Sequence, residues 1–382
     1  MEAEGVLVSI TKAIRSFIFT TLSIVAPFFL SAKGVSVVNI SLIILISIAI
    51  STGYLYAFTA LNLKARTKLF LLSGLFSFSL LILYLLQNPL SLVLAILIGA
   101  IPLAGRDLTV NMSIEQYAIS AVFSKQSEMN LMFSIYNFGS YTSGALASAF
   151  LFLFGSDEYG TIFLIIFIMS LLQFIIYISV RVPDIKKREH KAALSDPVTR
   201  SNIRSLALLF LVDSLGGGLV NVSIITLWFK TVYHVSLSQA GFIFILVNVI
   251  TALSVIVSGF ISNRMGLVKT MVYTHLVSNV FLFMVPLFHS LIASEIFLYL
   301  RQSTSQMDVP ARDSFVNTFI QRDARIASNS AFAAVRNGGQ IPGPGVAGLL
   351  LETFPMGVFF SASLLKIAYD IAFYLKYRNS NL

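Results

Sequence analysis

The 382-residue sequence has no cysteine, one tryptophan (Trp228), four histidines and only 11% charged residues. Without cysteine there is no disulfide, no thiolate metal site and no cysteine nucleophile. The histidines (His190, His234, His275 and His289) are scattered, and only His275 falls within an apolar run. No metal-ligand cluster is therefore expected, and no cofactor. A glycine-rich phosphate loop with its lysine is absent, which argues against an ATP-driven pump. No nucleophile–base pair stands out, so the chain is not expected to be an enzyme. The N-terminus lacks a short apolar core followed by a small-residue cleavage site, so no cleaved signal peptide is expected. Soluble domains carry about 25% charged residues, and the shortfall here removes that class.

Hydrophobic residues make up 57% of the chain, with 33 phenylalanines. Twelve apolar runs of spanning length follow one another. In the first half they are Ser16–Ala32, Ser36–Leu61, Leu69–Leu86, Leu90–Met112, Asn130–Phe154 and Thr161–Val182. A polar segment, Pro183–Arg204, comes next. The second half holds Ser205–Phe229, Leu237–Ile261, Val268–Phe288, Leu291–Val309, Ala327–Leu351 and Pro355–Tyr374. The fifth run is rich in glycine and serine (Gly139, Ser140, Ser143, Gly144, Ser148), which suits close helix packing.

The net charge of +9 would suit nucleic acid, but the placement of the charges points to membrane topology. With a cytoplasmic N-terminus, twenty Lys and Arg residues fall on the cytoplasmic side. They include Lys12 and Arg15 ahead of the first run, Lys125, and Arg312, Arg322 and Arg325 after the tenth. Only Lys33 and Lys230 fall outside. This bias predicts a multi-pass cell-membrane protein with both termini cytoplasmic. No nucleic-acid partner is expected.

The expected fold class is an all-α membrane protein of twelve transmembrane helices in two pseudo-symmetric six-helix bundles. Its domains would be residues 1–182, a cytoplasmic linker 183–204, and residues 205–382. The halves share features at the same ordinal positions. The fourth run carries GRDLTVNMSIEQ and the tenth LRQSTSQMDVPAR, each with an arginine near mid-span and an acid further on. The fifth has Tyr136-Asn137-Phe138-Gly139 where the eleventh has Arg336-Asn337-Gly338-Gly339. Repeated halves with polar groups near the midplane are the pattern of a secondary transporter.

The loop after the eighth run reads Gly259-Phe-Ile-Ser-Asn263-Arg264-Met-Gly266-Leu-Val-Lys269. It resembles the G-x-x-x-D-R-x-G-x-x-K loop signature of the major facilitator superfamily, with Asn263 where aspartate is usual. The first-half counterpart, Asn62 to Lys68, keeps only its positive charge. The resemblance covers essentially the whole chain. It implies the major facilitator fold and alternating access by rocking. It also implies that helices 1, 4, 7 and 10 line the path, with 2, 5, 8 and 11 at the gates. Arg106 lies where many family members carry a functional fourth-helix arginine, although Asp107-Leu-Thr-Val follows instead of the usual glycine-rich continuation.

The candidate substrate or coupling residues are Arg106, Asp107, Tyr136, Asn137, Asp213, Arg301, Gln302, Gln306, Asp308, Arg336 and Asn337. Charge at membrane depth is costly and is kept facing a cavity or a partner. Gate or loop-signature candidates are Gly259, Asn263, Arg264, Gly266 and Lys269. Asp213, beside Gly216-Gly217-Gly218, is a proton-coupling candidate or the partner of Arg336 or Arg301. Glu115 reads as a loop or gate residue, and Trp228 as an interface anchor. Lys366 and Asp370 have the spacing of a structural helical ion pair. The cluster Gly338 to Gly345, with Pro342 and Pro344, should break its helix.

The expected function is secondary active transport of a small solute by alternating access, driven by protons. Arginine forks match carboxylate and phosphate, so an anionic solute is expected. The alternatives are a drug-type exporter of hydrophobic compounds and a lipid flippase or scramblase. The expected partners are a small-molecule substrate, the proton and the lipid bilayer, and the chain is expected to act as a monomer.

Overall fold

The computed structural model describes residues 2–122, 126–155, 158–180, 197–320 and 325–378. Most of the charged connection expected at 183–204 (residues 183–196) lies outside the described residues, as do Lys125, His190 and Arg322. All regular structure among the described residues is helical.

The first three runs form α1 (Glu2–Ala32), α2 (Val37–Ala60) and α3 (Ala65–Leu86). The fourth is split into α4 (Pro89–Gly99) and α5 (Val110–Val122). The fifth and sixth form α6 (Gln126–Phe154) and α7 (Tyr159–Ser179). The seventh is split into α8 (Pro197–Leu219) and α9 (Val222–Tyr233). The eighth and ninth are α10 (Leu237–Met265) and α11 (Leu267–Met284). The tenth gives α12 (Leu291–Ser305) and α13 (Asp308–Phe319). The eleventh gives α14 (Arg325–Gln340) and α15 (Pro342–Thr353), and the twelfth is α16 (Gly357–Tyr377). Eight stretches among the described residues are long and apolar enough to cross a membrane. The fourth, fifth, tenth and eleventh runs are not among them; the fourth, tenth and eleventh are each divided into two shorter helices.

The chain forms two compact units, Met1–Lys186 with Asn221–Ile245, and Lys187–Val220 with Leu246–Leu382. In the first, α1 packs along α6 and touches α5, α7 and α9, while α3 lies against α4 and α7. The small residues of the fifth run serve this contact. Ser140 and Ser16 share a 2.7 Å hydrogen bond, and a side chain at Gly139 would meet Ala13. In the second unit α8 packs on α14, α15 and α16, and α11 on α12, α13 and α16. A side chain at Gly343 would lie 2.2 Å from the backbone of Gly218, so these two backbones touch. An aromatic core built on Phe210, Phe315, Phe332, Tyr369, Phe373 and Tyr377 joins α8, α13, α14 and α16.

Three expectations are corrected. The first helix begins well before Ser16, so Lys12 and Arg15 lie inside it and are buried at 5% and 1% exposure. Trp228 is buried against Phe229 and Tyr233 rather than anchored at an interface. The fourth run is not one helix. Its interruption lies at residues 100–109, where Pro102 lacks an N–H and Ala100 and Gly105 take positive φ of 50° and 69°.

Candidate functional site

An interrupted helix frees backbone groups that lipid cannot satisfy, and each unsatisfied group costs several kcal/mol. At 100–109 serines of neighbouring helices do the work. Leu103 N–H donates to Ser47 Oγ at 2.9 Å, and Gly105 N–H to Ser23 Oγ at 2.8 Å. Ser51 donates to the carbonyl of Leu108. Ser223 of α9 donates to the carbonyl of Ser23 at 2.7 Å, and Asn221 caps α9 through Ile224 N–H. A side chain at Gly105 would stand 2.3 Å from Val222 Cγ2, so this interruption abuts the start of α9. Arg106 sits on it with its residue exposed.

Asp107, the next residue, has a different fate. Its side chain is only 2% exposed, and its Oδ1 accepts from Thr109 N–H and Oγ1, starting α5. Its Oδ2 meets Lys12 Nζ at 2.9 Å and Arg15 Nε at 2.7 Å. Arg15 also forks onto Glu115, with Nη1–Oε1 of 2.9 Å and Nη2–Oε2 of 2.5 Å. Glu115 further accepts from Thr11, Tyr136 and Tyr177 at 2.8, 2.7 and 2.5 Å. Glu115 is therefore a fully buried hub, not the loop or gate residue expected. Two carboxylates meet two fixed cations, so this cluster is neutral without any added proton. Tyr136 spends its hydroxyl on Glu115 and is buried, while Asn137 beside it is exposed.

The second unit has its own network. Asp213, on α8, meets Lys366 Nζ of α16 at 2.6 Å and His275 Nε2 of α11 at 3.6 Å. The other ring nitrogen, Nδ1, lies 2.7 Å from Asp370 Oδ1 on α16. Asn279 donates to the remaining Asp370 oxygen at 2.8 Å. The direct partners of Asp213 are thus Lys366 and His275, not Arg336 or Arg301. Lys366 and Asp370 do not pair along their own helix, because each points at a different neighbour.

Asp308 opens α13 and pairs with Arg312 at 2.8 Å; both are buried, which takes Arg312 out of the expected cytoplasmic loop. Gln302 donates to Thr251 of α10 at 2.7 Å and accepts from Arg301 at 2.9 Å. Gln306 caps α12 at the interruption, where Ser258 donates to the carbonyl of Met307. Arg336 and Asn337 are half-buried on α14, just before the second interruption expected from the glycines and prolines. In the loop signature, Gly266 caps α11 at φ 80°, a conformation that favours glycine, and Arg264 and Lys269 are exposed. Gly259 lies within α10 near its C-terminal end, as does Asn263, whose side chain is outside the described residues.

Lys12, Arg15, Tyr177 and His275 were not among the sequence-derived site residues. His275 carried a signal, as the one histidine inside a run. Lys12 and Arg15 carried none, because their position near the N-terminus made them part of the cytoplasmic charge.

The sequence profile of the Major Facilitator Superfamily matches residues 108–301, just over half of the chain. No curated protein sequence matches. Among solved structures, the nucleoside transporter NupG (D323A mutant) is similar with a TM-score of 0.77 at 13% identity, covering 97% of this chain and 99% of that one. A POT family transporter in complex with a thioalcohol-conjugated peptide gives 0.76 at 11%, covering 97% and 95%. The human organic anion transporter MFSD10 gives 0.69 at 15%, covering 97% and 98%. At these identities the likeness speaks for the fold.

Proposed function

The chain belongs to the Major Facilitator Superfamily, and from that premise we propose that it moves a small anionic solute across the cell membrane by alternating access, driven by protons. The fold is that of a multi-pass membrane transporter. The observation that carries the finer reading is the contrast between neighbours on the fourth run. Asp107 is consumed by Lys12 and Arg15, whereas Arg106 is exposed on the serine-tied interruption and forms no ion pair among the described residues. A guanidinium left open on that interruption is suited to a carboxylate or phosphate. Half-buried Arg336, ahead of the α14–α15 interruption, is the second candidate for that role. The named solutes of the similar structures span nucleosides, organic anions and peptides, so they support solute transport without selecting a class. The lysine and arginine bias supports cytoplasmic termini. Arg264 and Lys269, at the turn between α10 and α11, act as cytoplasmic gate residues in this reading.

The test uses purified protein in liposomes under an imposed pH gradient of either direction. The labelled probes are p-aminohippurate, uridine, a dipeptide and tetraphenylphosphonium. The expected result is accumulation of the anion, abolished by a protonophore. Accumulation of the lipophilic cation alone would move the reading to an exporter of hydrophobic compounds. Movement of no probe would sink the transport reading for these solute classes.

A further inference from the structure

The two buried networks differ in one respect that is chemical rather than geometric. The cluster around Arg15 closes with equal numbers of carboxylates and fixed cations. The second unit does not close. Among the described residues its buried charged side chains are Asp213, Asp308 and Asp370 against Lys366 and Arg312, with His275 as the sixth member. Of the partly exposed charges, Arg301 and Arg336 are positive and Glu295 negative, while Asp313 is exposed. Three buried carboxylates thus stand against two buried permanent cations, and a carboxylate at membrane depth needs a partner. A proton bound by His275 supplies a third positive charge within the buried set.

The geometry says where that proton sits. The His275 ring reaches Asp370 with Nδ1 and Asp213 with Nε2. A neutral imidazole has one N–H, which serves the hydrogen bond to Asp370; an imidazolium adds a positive charge and a second N–H 3.6 Å from Asp213, at ion-pair distance. Asn279 has already spent a donor on Asp370, and Lys366 on Asp213. Tyr369 contributes a ring edge-on to His275. On the other elements packed against α11, Arg312 and Asp308 of α13 pair with each other, and Glu295 and Tyr299 of α12 interact with each other.

We propose that His275, bridging Asp370 and Asp213, is the binding site of the transported proton, and that the proton ties α8 to α11. This rests on the reading of the chain as a proton-driven transporter and names the carrier within it. On release, one N–H bond of the imidazolium breaks, its electron pair stays on the ring nitrogen, and the proton passes to water. The remaining N–H stays with the closer acceptor, Asp370 at 2.7 Å. The 3.6 Å contact to Asp213 is the one lost. That leaves Asp213, at the turn before Gly216-Gly217-Gly218, held by Lys366 alone and unties α8 from α11. Proton occupancy therefore acts on the segment of the seventh run that leads into its interruption, while α11 and α16 stay linked.

The test needs no solute. His190→Asn, His234→Asn and His289→Asn leave His275 as the single histidine. Asparagine is the suitable replacement because His234 and His289 hold positive φ of 53° and 48°. In nanodiscs, ¹⁵N-histidine NMR should show one imidazole gaining one proton between about pH 9 and pH 5. Asp370→Asn in the same background should weaken proton binding about tenfold or more. In otherwise unaltered protein, dye-monitored titration over the same range should count about one proton fewer for His275→Gln. A ring that keeps one protonation state throughout, or that ignores both Asp370→Asn and Asp213→Asn, overturns the proposal. If His275 titrates as stated but no labelled probe crosses the liposome membrane, the proton site stands and the transport reading falls.

Discussion

Arg15 and Glu115 face each other through two parallel hydrogen bonds, Nη1 to Oε1 at 2.9 Å and Nη2 to Oε2 at 2.5 Å, both side chains almost wholly buried. The same guanidinium holds Asp107 with Nε. Removing it strands two buried carboxylates on a single lysine. Arg15→Met should therefore lower stability by about 3–5 kcal/mol. Arg15→Lys keeps the charge but cannot fork, so it should lie between the two. Thermal unfolding in detergent micelles measures this. A melting point unchanged in Arg15→Met would mean that desolvation cancels the pair.

Lys366 and Asp213 test the cross-helix pairing against the expected pairing along α16. Lys366→Met alone leaves Asp213 with only His275 and should be strongly destabilising. Adding Asp213→Asn should recover a large part of the loss, with a coupling of about 1–3 kcal/mol in the double-mutant cycle. The same cycle with Asp370→Asn should show a smaller coupling, because Asp370 bonds to His275 and Asn279. A larger coupling to Asp370 would restore the helical pair.

The twelve runs were legible because hydropathy is a property of the chain itself. So was the α14–α15 interruption, since Gly338 to Gly345 concentrates breakers in a few residues. The interruption at 100–109 was hidden by its own apolarity. Ile101-Pro102-Leu103-Ala104 reads as a continuing span, and the serines that make it tolerable sit on α1 and α2. The ion networks were only half legible. Asp107 and Asp213 were visible as acids in greasy surroundings, but their partners come from helices far away in sequence. Spacing rules describe one helix, and so they joined Lys366 to Asp370 when each belongs to a neighbour.

Gly105 holds φ 69° and lies against Val222, so two penalties can be separated there. Gly105→Ala should destabilise by about 1–3 kcal/mol from the backbone conformation, with a further cost from the clash. Val222→Ala in the same protein should recover the clash and leave the backbone cost. Full recovery in the double variant would mean that the left-handed backbone carries no strain.

Arg106 and Asp107 are adjacent in sequence and should part in their effects. Asp107 is embedded between Lys12, Arg15 and Thr109, so Asp107→Ala should lower the melting point and leave little folded protein to assay. Arg106 is exposed and forms no ion pair among the described residues. Arg106→Ala should therefore melt within about a degree of the unaltered protein, as surface substitutions do. Its accumulation of p-aminohippurate should nevertheless fall about tenfold or more, the loss expected when a charge-assisted contact worth about 1.5–3 kcal/mol disappears. Arg106→Lys, which keeps the charge without the fork, should restore part of it. Transport that survives Arg106→Ala at unchanged affinity would assign the anion elsewhere, with half-buried Arg336 the next side chain to replace.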